Sequence, residues 1–197
     1  MDRFTNIRVF FSKIGVAKYI SHLDLYRAFS RAVKRSGLPV WITEGFNPHI
    51  YMTFALPLAL GIEGQNESVD LRLTTPMDFG QVKERLNAVM PEGLEIIRVA
   101  EPIRKANDIK KARYEIHTEQ VERLNEYLSQ DKIEIVKKTK TKTETIDVKL
   151  LLEWSDGILT LPAGSEFNIN PWNVLGDLEV GNVRRIEILC NDGGLFE

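Results

Sequence analysis

Residues 6–49 read NIRVFFSKIGVAKYISHLDLYRAFSRAVKRSGLPVWITEGFNPH, and this stretch decides the fold. Ile7, Val9 and Phe11 alternate with polar partners, which predicts a half-buried strand over Asn6–Lys13. A helix then starts sharply. Ser21 is a suitable N-cap, and Asp24 follows three residues on, in the manner of a capping box. Leu25, Phe29, Ala32 and Val33 form the stripe to be buried. Ser36-Gly37-Leu38-Pro39 ends the helix, a glycine C-cap followed by proline.

Outward from this unit the pattern continues. Extended segments fit Val40–Thr43, Ile50–Phe54 and Glu67–Thr74. A second helix opens at Asp78, buries Val82, Leu86 and Val89, and stops at Met90-Pro91. Leu94–Ala100 follows as a strand, and Glu101–Lys111, polar and without a period, reads as a linker. The order then repeats. Arg113–His117 is a strand, Thr118 caps a helix burying Val121, Leu124 and Leu128, and Lys132–Lys138 is a strand. Thr145–Trp154 alternates through Ile146, Val148, Leu150 and Leu152, and Asp156-Gly157 turns the chain into Ile158–Leu161. Asn170-Pro171 opens a short helix, Val183–Cys190 is the last strand, and Trp154 and Trp172 read as core.

Both halves therefore read as strand, helix, two or three strands, helix, strand. That order predicts an α+β chain of two tandem ferredoxin-like (split βαβ) domains with antiparallel sheets. The expected boundaries are 1–102 for the first domain and 103–197 for the second. A single continuous α+β domain is the alternative.

Composition narrows the function classes. The chain of 197 residues is 43% hydrophobic and 27% charged, as in ordinary soluble globular proteins. Nothing approaches the roughly 20-residue apolar run that spans a bilayer, and the N-terminus lacks the apolar core of a secretory signal. The single cysteine, Cys190, excludes an internal disulfide framework and an all-cysteine metal site. A cytoplasmic protein with no membrane partner is expected. The net charge of −2 hides an asymmetry: residues 1–50 carry eight Lys/Arg against three Asp/Glu, whereas residues 151–197 carry two against eight. The basic end suits phosphates and the acidic end repels them.

The chemistry concentrates around the first helix. Arg27, Arg31 and Lys34 recur at three- and four-residue steps and share a face, with Asp24 one turn before Arg27. His22 sits at the helix N-terminus, which disfavours protonated imidazole, so a neutral ring could act as acid, base or donor beside a bound phosphate. The loop Glu44-Gly45-Phe46-Asn47-Pro48-His49 has a glycine for positive φ and a proline that holds Asn47 extended. An aromatic and an amide on a rigid loop suit recognition of a planar base; a structural turn with Phe46 in the core is the alternative. His22, Asp24, Glu44 and His49 are suitable zinc or iron ligands by type, but their spacing matches no metal motif, and none is expected. The run Lys137–Thr143 reads as a hairpin arm that could lie along a nucleic-acid backbone or simply protect a strand edge.

Ser21-His22-Leu23-Asp24-Leu25, Arg27, Arg31-Ala32, Gly37-Leu38-Pro39 and the loop Glu44–His49 resemble the radical-SAM-linked protein family. So do Leu56-Pro57-Leu58, Leu60-Gly61-Ile62, Glu67–Leu71 and Thr145–Val148. That family is a bacterial domain of unknown function, found alone or fused after a radical SAM enzyme of the B12-binding type. The resemblance implies a radical SAM protein as partner and marks a motif surface of Lys13, His22, Asp24, Arg27, Arg31, Gly45, Asn47 and His49. The chain has no three-cysteine motif to hold an iron–sulfur cluster, so no cofactor of its own is expected. The favoured expectation is a non-catalytic adaptor that presents RNA to that partner through Lys13, Asp24, Arg27, Arg31, Lys34, Gly45, Phe46 and Asn47. The alternatives are an RNA-processing endonuclease using His22 or His49 as acid or base, and an adaptor that docks on protein alone.

Overall fold

A computed structural model describes residues 4–138 and 143–197. The chain is mixed α and β, with sheet neighbours antiparallel throughout the described pairings. It divides into two compact units. The first covers the described residues up to Ala106, with Glu197; the second is Asn107–Phe196. No helix among the described residues is long and apolar enough to cross a membrane.

The first unit runs β1 (Thr5–Lys13), a 3-10 turn at Gly15–Tyr19, α1 (His22–Arg35), β2 (Met52–Phe54), β3 (Glu63–Leu73), α2 (Phe79–Asn87) and β4 (Leu94–Ala100). Its strands lie in the order β4-β1-β3-β2. Ile7, Val9 and Phe11 of β1 and Val69, Leu71 and Leu73 of β3 meet Leu25, Phe29 and Val33 of α1 and Val82 and Leu86 of α2 in one core. Both helices therefore cover the same face of the sheet. Asp78 caps α2 by accepting from Gln81 N at 3.0 Å. Val89, expected on the buried stripe, lies past the end of α2 and is half-buried.

The other face of β1 departs from expectation. Arg8 takes a polar slot in the alternation, yet it is 1% exposed. Its guanidinium grips Asp70 with Nε and Nη2, at 2.7 and 2.9 Å, and donates to the main-chain oxygens of Glu197 and Arg104, both at 2.9 Å. Those bonds fasten the segment that reads as a free linker. The linker is also shorter than expected, because a 3-10 turn at Ala106–Asp108 leads straight into the next strand.

The second unit runs β5 (Ile109–His117), α3 (Val121–Leu128), β6 (Glu134–Lys138), β7 (Thr143–Asp147), β8 (Glu153–Ser155), β9 (Ile158–Pro162), α4 (Pro171–Leu175) and β10 (Asn182–Cys190). Its sheet has the order β10-β5-β9-β8, and β6 and β7 form a separate hairpin. The expected single strand Thr145–Trp154 is broken. Asp147 Oδ1 accepts from Lys149 N and Ile133 N, which ends β7 and turns Lys149–Leu151 into a 3-10 helix. Leu150, placed inside by the alternation, is 97% exposed. Thr118 does not cap α3. Its hydroxyl accepts from Gln120 N and donates to the Glu179 carbonyl, so the helix begins at Val121, which stays exposed. Asp156 and Gly157, both at positive φ, make the two-residue turn between β8 and β9. Asn170 caps α4 through Trp172 N, with Pro171 in its first turn. Trp154 and Trp172 are half-buried rather than core. Residues 139–142 of the basic run lie outside the described residues.

Candidate functional site

Helix α1 builds the first part of the site. The Ser21 side chain accepts from Asp24 N at 3.1 Å, and its hydroxyl donates to Asp24 Oδ2 at 2.7 Å. Asp24 Oδ1 in turn receives Arg27 at 3.2 Å. The Ser21 hydroxyl, with smaller help from Arg27 and Arg31, holds the Asp24 carboxyl below its ordinary range. Asp24 thus stays an anion that orients Arg27. The buried stripe is Leu25, Phe29, Ala32 and Val33, so Arg27, Arg31 and Lys34 stand on the opposite, solvent-facing side. Arg35 is committed elsewhere, donating to the Val89 carbonyl at 2.7 Å.

His22 begins α1. Its ring meets Phe54 of β2 edge-on, with ring centres 5.2 Å apart, and one turn later Tyr26 donates to the Ile50 carbonyl. Desolvation by this packing, and then the charge of Lys13, depress the His22 pKa, so the ring is neutral near pH 7. Lys13 itself is not on the surface. It is 1% exposed, and its Nζ donates to the carbonyls of Ile20 and Lys18. Its place is under the turn that delivers the chain to α1. There it works on His22 through its charge.

The loop Glu44–His49 is exposed along its whole length. Phe46 is as exposed as an isolated side chain, at 112%, which removes the alternative that it serves the core. Both legs of the loop are held. Thr43 N donates to the His49 carbonyl, His49 N donates to Thr43 Oγ1, and Ile42 and Ile50 bridge. Below them Tyr51 N donates to the Trp41 carbonyl, and the Arg72 guanidinium lies 4.1 Å from the Tyr51 ring centre and 5.2 Å from that of Trp41. Gly45 sits at φ +114 with nothing near an added Cβ, so its requirement is conformational rather than steric. His49 Nδ1 lies 2.8 Å from the Asn47 carbonyl. A carbonyl only accepts, so Nδ1 carries a proton there, and in the neutral tautomer Nε2 is the acceptor.

The sequence-predicted residues fall into two groups. Asp24, Arg27, Arg31 and Lys34 share the outer side of α1, while Gly45, Phe46, Asn47 and His49 form the loop on the β2 side, where His22 and Tyr26 also face. Among the described residues, no hydrogen bond or ring contact joins His22 to His49. No three His, Cys, Asp or Glu side chains there gather as a metal site. Sequence reasoning missed the parts that make the loop stiff: Thr43, Trp41, Tyr51 and Arg72. The aromatic pair flanking the loop was the available signal. Chemically, the surface offers a ring for stacking, an amide and an imidazole acceptor for a base edge, and cations for phosphates.

No curated protein matches the chain. The model of one family matches residues 6–171, which takes in both halves of the chain, and the protein belongs to that family, described as an uncharacterized protein conserved in bacteria (DUF2344).

Proposed function

We propose that this chain is a non-catalytic, cytoplasmic RNA-binding adaptor that serves a radical SAM enzyme. In this reading its target is single-stranded RNA. Bases of a duplex are stacked on each other, whereas an unpaired base can leave the stack and lie on an aromatic side chain. The observation that carries the reading is the wholly exposed Phe46 on a loop fastened at both ends. Asn47 and His49 then address the base edge, and Arg27, Arg31 and Lys34 the phosphates. We also read each unit as a ferredoxin-like domain, with expected boundaries at 1–102 and 103–197. The orders β4-β1-β3-β2 and β10-β5-β9-β8 support this, the β6–β7 hairpin being an insertion.

The test is fluorescence anisotropy with labelled single-stranded RNA at several salt concentrations. Base stacking on an aromatic contributes about 1–3 kcal/mol, so Phe46→Ala is expected to weaken binding by about 5- to 150-fold. Replacing Arg27 and Arg31 by Ala is expected to flatten the log–log salt slope by about 1.4, at about 0.7 per phosphate contact for single strands. Absence of binding at low salt would sink the proposal. Binding indifferent to Phe46 would move it off the loop. The endonuclease alternative rests on the neutral His22, whose low pKa suits a base. It predicts RNA turnover that His22→Ala abolishes without loss of affinity. The protein-only adaptor predicts a complex with the radical SAM partner that survives nuclease.

A further inference from the structure

The second unit carries a groove that the RNA surface does not use. Its volume is about 480 Å³, within the range of small-molecule sites. It opens on the face of the sheet opposite Ala112, Tyr114, Leu159 and Leu161, which are buried. Register defines its floor. Thr160 of β9 lies between Arg113 of β5 on one side and Glu153 of β8 on the other. Lys111 follows Arg113 on the same face of β5, and Lys110 and Asn191 complete one end.

Two observations point to a ligand. Thr160 is 93% buried by its 7% exposure and lines the groove, yet its hydroxyl has no hydrogen-bond partner among the described residues. That oxygen is open to the groove, and its donor and acceptor capacity is not taken up by protein groups. Around it the lining brings three cations, Lys110, Lys111 and Arg113, against one carboxylate, Glu153. Each of these cations also has a carboxylate partner: Lys110 pairs with Glu166, Lys111 with Glu153 and Arg113 with Glu187. The ion pairs present do not exhaust the donors. Arg113 gives Nη1 to Glu187 at 2.8 Å, and its other guanidinium N–H groups can still donate.

We propose that this groove binds a small phosphate-bearing ligand of up to mononucleotide size. Thr160 and Arg113 hydrogen-bond the phosphate oxygens, and Lys111 and Lys110 supply charge. Glu153, ion-paired with Lys111, competes with the ligand for that lysine. The site is independent of the RNA-binding reading and stands or falls without it.

Pyrophosphate is the probe, titrated into the full-length protein and followed by amide NMR shifts. Saturable shifts centred on Thr160, Arg113, Lys111 and Ser155 are expected. Glu153→Gln, which frees Lys111, is expected to tighten binding several-fold. Arg113→Gln is expected to weaken it about tenfold, and the near-isosteric Thr160→Val, which leaves every ion pair in place, about two- to tenfold. Thr160→Val keeps the test decisive if Arg113→Gln unfolds. No saturable shift, shifts centred on Arg27 and Arg31 instead, or a Glu153→Gln variant that binds no tighter would each overturn the site.

Discussion

Replacing Arg8 by Met removes a guanidinium from a site where water cannot take its place. Arg8 is 1% exposed, and its guanidinium donates twice to Asp70 and once each to the main-chain oxygens of Arg104 and Glu197. Breaking a buried ion pair from one side costs about 3–5 kcal/mol, because the other charge stays behind. The Asp70 side chain is 29% exposed, so its carboxylate regains part of its hydration and the pair alone falls at the low end of that range. The two main-chain oxygens left without their donor add roughly 1 kcal/mol each. A loss of about 3–5 kcal/mol lowers Tm by roughly 6–20 °C in a chain of this size. Urea unfolding of the wild type, Arg8→Met, Asp70→Leu and the double variant forms the assay. The double variant should recover most of the loss, since an apolar pair leaves no charge unpaired. Limited trypsinolysis supplies a second readout. Freed from Arg8, the segment at Arg104 and Lys105 should be cut faster in Arg8→Met than in the wild type. The reasoning is refuted if Arg8→Met costs less than about 1 kcal/mol, or if the double variant is no more stable than the single.

Acid should weaken the first unit through His22. Its folded-state pKa lies below the ordinary 6.5, so the unfolded chain binds more protons, and stability is lost as pH falls below about 6.5. His22→Gln should flatten the urea midpoint between pH 7.5 and the folded-state pKa, and equal slopes in the two proteins would contradict this. Asn87 pairs its side-chain amide with both N and O of Ile96, at 2.7 and 3.0 Å, covering strand β4. Asn87→Ala should cost about 1–3 kcal/mol and open the strand to self-association, read by denaturation and sedimentation at several concentrations. Gly93 is at φ +81, and an added Cβ would meet the Ile14 carbonyl at 2.7 Å and Ala17 Cβ at 2.8 Å. Gly93→Ala should therefore destabilise by at least about 2 kcal/mol, whereas Gly157→Ala, equally positive in φ but in open space, should cost less in the same melting experiment.

What could be read from the residues was what local chemistry decides. Ser21, the stripe from Leu25 to Val33 and Gly37 fixed α1 almost to its ends, because a cap, a face and a left-handed stop each act within one turn. Strand β4 and the Asp156-Gly157 turn were legible for the same reason. Alternation failed where a side chain bonded the backbone. Ile146, Val148, Leu150 and Leu152 form an unbroken period of two, yet Asp147 captures two N–H groups and sends Leu150 into solvent. A pattern of apolar residues carries no information about a carboxylate that prefers the chain itself. Arg8 and Lys13 show the complementary limit. Arg8 stands where the strand should face water and Lys13 puts a charge on the face that should be apolar, and both are buried, because their partners come from far along the chain or from main-chain oxygens with no side-chain signature. The candidate surface divides the same way. Its residue types were visible, but its stiffness was not. The loop is held by Thr43 and by Arg72 stacked on two rings, and Arg72 lies more than twenty residues from the loop it supports. An exposed Phe46 on a slack loop would lose its binding energy to ordering. On the RNA-binding reading proposed above, the distant guanidinium would bear on affinity without touching the RNA. Arg72→Ala should weaken RNA binding while Phe46 stays in place.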